Sequence, residues 1–222
     1  MAIILMLVYL NLATDPSKAT FTWNHTSNLH IITMLMFFIF LQGYVILIFR
    51  IFPEKPKLIV KLLHFSLHLA VSIGVLVAFL SIVSYKNVTV RKKDEAVHFL
   101  SLHSWLGLGA IIIYYGQLVG GFVTFLLPFT PLRIRALVLP GHRAVGTLIF
   151  MLGGAAGITG FMHKDAWKTK AFSSEHLTVQ FSGVFLVLFF LGVMILVTEH
   201  RFRRRPRPEG DILLEDTSKD DD

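Results

Sequence analysis

Five long apolar runs, residues 30–49, 58–84, 99–127, 140–161 and 177–198, decide what this chain can fold into. Each reaches the roughly 20 residues that an α-helix needs to cross a hydrocarbon core of about 30 Å. In lipid the backbone must satisfy its own hydrogen bonds, so the runs are expected as helices. Residues 1–12 form a sixth, shorter run whose ~18 Å of helix is too little to span. It reads either as the remnant of a first span or as the apolar part of a signal peptide that lacks a basic n-region. Composition agrees with a bilayer as solvent: 54% of the 222 residues are hydrophobic and 16% charged, against about a quarter charged in soluble domains. That length leaves no room for a separate water-soluble catalytic domain, so any chemistry sits within or beside the bundle.

Cysteine is absent, which excludes disulfides, thiolate-ligated haem, cysteine-held iron–sulfur clusters, c-type haem attachment and cysteine nucleophiles. The formal charge of +7 falls between the apolar runs rather than along one polar face, so it marks membrane topology and not nucleic-acid binding. Arg50, Lys55, Lys57, Lys61, Arg133, Arg135, Arg143 and the cluster Arg201, Arg203, Arg204, Arg205 and Arg207 fall at one set of helix ends. With Lys219 that side carries 13 Lys and Arg against 8 on the other (Lys18, Lys86, Arg91, Lys92, Lys93, Lys164, Lys168 and Lys170). The positive-inside rule then puts the C-terminus in the cytosol. Two sequons, at Asn24 and Asn87, both fall on the side this rule leaves non-cytosolic, where glycosylation occurs.

This topology sorts the ten histidines. The first four of the long runs each carry one near the end at which they enter the membrane: His30, His64, His103 and His142. Because successive helices alternate in direction, His30 and His103 share the non-cytosolic level, and His64 and His142 share the cytosolic level. Ionisable residues inside spans default to functional roles. Paired imidazoles from facing helices are what a cofactor in a bundle core requires, and neutral imidazole ligates haem iron. Any one of the four, taken alone, reads more simply as an interfacial residue or an interhelical hydrogen-bond donor; four that alternate by helix and pair by depth favour ligation. His68 lies one turn deeper than His64 on the same face, which suits packing or support of the ligand. His25, His98, His163, His176 and His200 fall in loops or at helix ends. Gly107, Gly109, Gly116, Gly120, Gly121, Gly153, Gly154, Gly157 and Gly160 provide either clearance for a flat macrocycle or close helix packing.

Several segments carry a resemblance over about residues 23–205. They are Leu41-Gln42-Gly43 leading to Val45-Ile46-Leu47-Ile48-Phe49-Arg50, Lys61-Leu62-Leu63-His64, Ser101-Leu102-His103-Ser104-Trp105, Phe125-Leu126-Leu127-Pro128, Leu132-Arg133-Ile134-Arg135-Ala136, and Pro140-Gly141-His142. The chain resembles the eukaryotic cytochrome b561 family, six-span, two-haem, ascorbate-dependent electron carriers. The resemblance implies an all-α integral membrane protein with spans at about 1–16, 30–51, 58–84, 99–127, 140–162 and 177–198, the first short or truncated, and a four-helix core holding two haem b. By the same resemblance His30 and His103 ligate the non-cytosolic haem iron and His64 and His142 the cytosolic one. Arg50, Lys57, Lys61 and Arg135 become the cytosolic ascorbate site, a basic rim suited to an anion, and Ser104 and Trp105 belong to the acceptor side. Two features depart from the family pattern: Leu29-His30-Ile31 lacks the aromatic before and the proline after the first ligand, and the loop at 85–97 has Lys86, Arg91, Lys92 and Lys93 where the iron-reducing branch has a histidine. His98 is the substitute nearest in sequence.

These readings give a transmembrane ascorbate-dependent oxidoreductase that takes electrons from cytosolic ascorbate and delivers them to ferric iron or monodehydroascorbate, with a homodimer implied by the resemblance. Residues 201–222 are polar and read as a disordered cytosolic tail. Within that tail Glu209, Leu213 and Leu214 form an acidic dileucine pattern that would direct the protein to late endosomes or lysosomes. Two alternatives stay open on the residues alone: a b-type cytochrome subunit for quinol oxidation, and a transporter whose histidines relay protons or bind a metal.

Overall fold

The computed structural model of the chain describes residues 26–90, 98–163, 172–199 and 201. The expected first span at 1–16, Asn24, and the tail with Glu209, Leu213 and Leu214 lie outside the described residues. Among the described residues, five helices are long and apolar enough to cross a membrane. Helix α1 starts as Thr26–Thr33, passes through a π-helical stretch, Met34–Leu41, and ends as Gln42–Ile51. Helix α2 is Lys57–Tyr85, followed by a π turn, Lys86–Val90. Helix α3 is Leu102–Gly121, closed by a π turn, Phe122–Leu126; α4 is Leu132–His163 and α5 is Ser174–Thr198.

Local chemistry sets most of these boundaries. Pro53 and Pro56 fall in the link from α1 to α2, and Pro128 and Pro131 in the link from α3 to α4, where a missing N–H and a fixed φ end one helix and preset the next. Ser101 and Ser173 cap α3 and α5, their side chains accepting from the backbone N–H of Ser104 and His176. The fourth long span departs from the sequence reading, which began it at 140. It begins at Leu132 and carries Pro140 inside it, an arrangement that membrane helices tolerate because packed neighbours re-satisfy the released carbonyl. At 32 residues α4 is about 48 Å long, so its first turns, with Arg133 and Arg135, project beyond a ~30 Å hydrocarbon core. His142 therefore lies three turns into its helix rather than near its start.

α1 packs on α2 and α3 on α4, with α2–α3 and α4–α1 contacts closing a four-helix ring and α5 lying outside against α1 and α4. Phe38 and Val45 of α1, Val71 and Val75 of α2, Ala110 and Tyr114 of α3 and Ile149 of α4 fill the middle of the ring. Leu35 and Ile39 of α1 pack instead against Val179 and Leu186 of α5. The π-helical stretch lets one segment of α1 serve both clusters, because each wide turn changes the phase of the residues that follow. It begins where Thr33 Oγ1 donates to Leu29 O at 2.6 Å, a side-chain bond into the preceding turn that loosens the helical ladder. Outward positions are apolar as well: Ile73 is 65% exposed, Ile112 62% and Ile195 62%, as lipid-facing surfaces are.

Candidate functional site

Two pairs of imidazoles face each other across the ring. The ring centroids of His30 (α1) and His103 (α3) are 6.2 Å apart with planes at 89°, and those of His64 (α2) and His142 (α4) are 6.5 Å apart at 67°. Diagonal helices supply each pair, so the ring of four helices brings together both pairs that the sequence topology placed at common depths. Ala78 follows His64 by 14 residues and Ala156 follows His142 by 14, and these two alanines bond the other pair. The two levels are thus separated by about 21 Å of helix.

The histidines are held at Nδ1. His30 Nδ1 lies 2.9 Å from Ala78 O, His64 Nδ1 lies 3.0 Å from Val45 O, and His103 Nδ1 lies 2.8 Å from Ala156 O. A carbonyl oxygen only accepts, so each Nδ1 carries the hydrogen and each Nε2 carries the lone pair that binds a metal. α2 and α4 thereby do two jobs each, presenting one paired histidine and supplying the carbonyl that orients a histidine of the other pair. His142 is framed differently: Gln117 Nε2 donates to its main-chain oxygen at 2.5 Å, and the Phe125 ring stands 4.9 Å from its own. Phe49 takes the corresponding place beside His64, at 5.5 Å.

The glycines divide by role. A Cβ on Gly160 would stand 3.0 Å from Cε1 and Nδ1 of His103, and one on Gly121 would stand 3.0 Å from Cε1 of His142. These two make room for histidine rings. Gly153, Gly154 and Gly157 meet Phe38, Phe190 and Leu186 instead and serve helix packing, whereas Gly107, Gly109, Gly116 and Gly120 have nothing within 4 Å of the added carbon.

The spacing and donor set test what the pairs can hold. With metal–imidazole bonds of about 2 Å and roughly 1 Å from ring nitrogen to ring centre, two imidazoles on opposite sides of one metal have centroids about 6 Å apart, as both pairs do. Among the described residues no three His, Cys, Asp or Glu gather into a metal-binding group. Two facing imidazoles supply two nitrogen donors for one metal, and the residues present fit haem b.

At the end nearer His64 and His142, the basic residues are engaged with helix termini. Lys61 Nζ donates to Phe125 O at 3.3 Å and Arg135 Nη2 to Leu127 O at 2.9 Å, so both reach carbonyls at the close of α3. Lys57 and Arg135 lie within electrostatic range of Lys61. The Arg135 Nε hydrogen is buried and has no acceptor among the described residues. Arg50 serves the end of α5: its guanidinium donates to Glu199 O at 2.7 Å and to Val197 O. At the opposite end Ser104 Oγ lies 3.0 Å from Ser101 Oγ, and Trp105 is 62% exposed with its ring 6.0 Å from Phe99. His98 Nε2 donates to Asn87 Oδ1 at 2.9 Å, which joins the loop before α3 to the end of α2.

Sequence reasoning missed the carbonyls of Val45, Ala78 and Ala156, which carry no side-chain signature. It also missed Tyr114, whose hydroxyl donates to His68 O at 2.8 Å, and Gln117. Polar side chains within an apolar run were the available signal for these last two.

The sequence model of eukaryotic cytochrome b561 matches residues 29–168, a stretch that contains all four paired histidines. The chain is 34% identical over 217 residues to a Caenorhabditis elegans homologue of transmembrane ascorbate-dependent reductase CYB561, covering 90% of this chain and 80% of that protein. It is 31% identical to the plasma membrane ascorbate-dependent reductase CYBRD1 of Mus musculus, over 87% of this chain and 68% of that one. With the transmembrane ascorbate-dependent reductase CYB561 of Homo sapiens it shares 30% identity, over 85% and 75% of the two chains. A match across most of the chain, centred on the helices that pair its histidines, places this protein in the eukaryotic cytochrome b561 family.

Proposed function

We propose that the protein is a transmembrane ascorbate-dependent oxidoreductase in which His64 and His142 hold one haem b and His30 and His103 a second. The observation that carries this reading is the pair of 6.2 and 6.5 Å centroid spacings together with three Nδ1–carbonyl bonds that leave Nε2 as the ligating nitrogen. When bound, the two haems supply the one-electron couples by which charge crosses the bilayer. The chain fixes ligand tautomer and orientation, keeps water from the middle of the ring with the Phe38, Val75, Tyr114 and Ile149 cluster, and collects the donor.

Ascorbate is an anion at neutral pH, and Lys57, Lys61 and Arg135 form a positive rim that raises its local concentration beside the His64/His142 pair. Arg50 adds its charge to that end while anchoring α5. The positive-inside bias supports a cytosolic placement of this rim and of the C-terminus. On the other side Ser104 and Trp105 follow His103 in sequence and His98 precedes it, at the end where an electron would leave to ferric iron or monodehydroascorbate. Basic residues in the loop before His98 favour an anionic acceptor or iron chelate. A homodimer in an endosomal or lysosomal membrane, N-glycosylated at Asn24 and Asn87, completes the proposal.

Stopped-flow reduction by ascorbate of protein oriented in liposomes tests it. H142A should lose fast reduction from the basic side. H103A should keep that reduction and fail to pass electrons to ferricyanide enclosed on the other side. Unchanged kinetics in H142A would contradict the assignment.

A further inference from the structure

Among the described residues three polar side chains are buried in the spans: Gln42, Ser81 and Ser182, at 1%, 4% and 0% exposure. Both serines donate to a carbonyl of their own helix, Ser81 Oγ to Ala78 O at 2.9 Å and Ser182 Oγ to Thr178 O at 2.7 Å. Gln42 differs, because its Oε1 is buried and has no donor among the described residues. An acceptor left unmade in a low-dielectric interior is costly, and polar side chains in membrane bundles ordinarily offset that cost by bridging helices. The Gln42 oxygen bridges nothing, so its presence calls for another use.

Its position supplies one. The π-helical stretch Met34–Leu41 ends at Gln42, and regular α-helix resumes there. Gln42, Val45 and Phe49, at i, i+3 and i+7, therefore share one stripe of α1. That stripe faces the His64/His142 pair: Val45 O accepts from His64 Nδ1 at 3.0 Å, and the Phe49 ring stands 5.5 Å from the His64 ring. Gln42 lies about 4.5 Å along the axis from Val45, toward the middle of the bundle. His30 lies twelve residues further back along α1, so Gln42 is far nearer the level of one imidazole pair than that of the other. The flank of the same turn serves packing, with Gly43 against Phe189 of α5.

We propose that the side-chain carbonyl of Gln42 sets the two sites apart electrostatically, giving a haem between His64 and His142 a lower midpoint potential than it would have without that oxygen. The inference rests on the haem-binding reading above. A bis-imidazole haem b core carries one net positive charge when ferric and none when ferrous, so the uncompensated negative end of a carbonyl dipole favours the ferric form. Within a ring that excludes water little screens that field, and burial and nearby polar groups are among the means by which a protein tunes haem iron. A lower potential at the donor end favours onward transfer toward the His30/His103 pair.

The test is a spectroelectrochemical titration of the purified, haem-loaded protein beside two variants, Q42M and Q42L. Both remove the dipole; methionine follows the length of the native side chain and leucine branches, so a packing effect would differ between them while loss of the dipole is common to both. The component lost in H142A assigns the His64/His142 midpoint, and the component lost in H103A assigns the other. The expected result is a His64/His142 midpoint raised to a similar extent in Q42M and Q42L, with a smaller displacement at His30/His103. An unmoved or lowered His64/His142 midpoint overturns the inference, as does an equal shift of both midpoints, and either leaves the two-haem reading standing. Where one variant fails to retain haem the other decides by the same criteria, and loss of haem from both overturns the inference by making Gln42 a structural residue. Wild-type protein that takes up no haem overturns the reading itself and the inference with it.

Discussion

Replacing Gly160 by alanine tests whether the glycine near His103 is there for the ring. The new Cβ would stand 3.0 Å from Cε1 and Nδ1 of His103, whereas carbon contacts are comfortable at about 3.5–4.0 Å. The ring cannot retreat by the missing half-ångström or more without stretching its 2.8 Å bond to Ala156 O, which leaves from the same helix. Overpacking of this kind costs about 1–3 kcal/mol, which corresponds to roughly 5- to 150-fold weaker haem retention at that site. Haem release to excess apomyoglobin measures the loss site by site. G160A should speed release from the His30/His103 pair and leave the other pair alone. G121A, whose Cβ meets His142 at 3.0 Å, should do the reverse. G192A, with nothing within 4 Å, should change neither. Wild-type release from both sites in G160A and G121A would refute the argument that these glycines are cut to fit ligand rings.

Three further outcomes follow from the basic end. K61A and R135A should each raise the KM for ascorbate about tenfold, a little under the ~1.5–3 kcal/mol of a charged hydrogen bond, with haem spectra unchanged; an unaltered KM in both would remove them from the donor site. R50A should act chiefly on stability, lowering the thermal midpoint in detergent by several degrees, because its guanidinium ties the carbonyls of Val197 and Glu199 to α1 and a cation at a helix C-terminus is favourable. A tenfold KM effect in R50A with no thermal change would place its role in donor binding instead. The double variant K61A/R135A should weaken the dependence of ascorbate reduction on added salt, read as rate against ionic strength, since part of the rim's long-range attraction, which salt screens, is then removed.

The spans and the pairing of histidines were legible because both depend on period and alternation. Apolar length gives the helices, and alternating helix direction sorts His30 with His103 and His64 with His142. The apolar run read from 140 missed the start of α4, which begins at Leu132 and carries Pro140 inside it, as membrane helices allow where neighbouring groups donate to the released carbonyl. The π-helical stretch at Met34–Leu41 has no compositional mark: MLMFFIFL reads as plain apolar helix, and only the need to face both Tyr114 and α5 shows why the phase changes. The orienting carbonyls of Val45, Ala78 and Ala156 are backbone groups that any residue could supply, so their positions emerge only from packing. Glycine, by contrast, was ambiguous in sequence and becomes specific in space, since Gly160 and Gly121 meet histidines while Gly154 meets Phe190.

The most direct measurement is the reduced-minus-oxidised absorbance spectrum of the detergent-purified protein, with haem-to-chain stoichiometry and ascorbate as the reductant. Two b-type haems per chain, largely reduced by ascorbate, is the predicted result. A colourless protein from cells well supplied with haem, or pigment that ascorbate leaves oxidised, would contradict the assignment of the two histidine pairs to ascorbate-driven electron transfer.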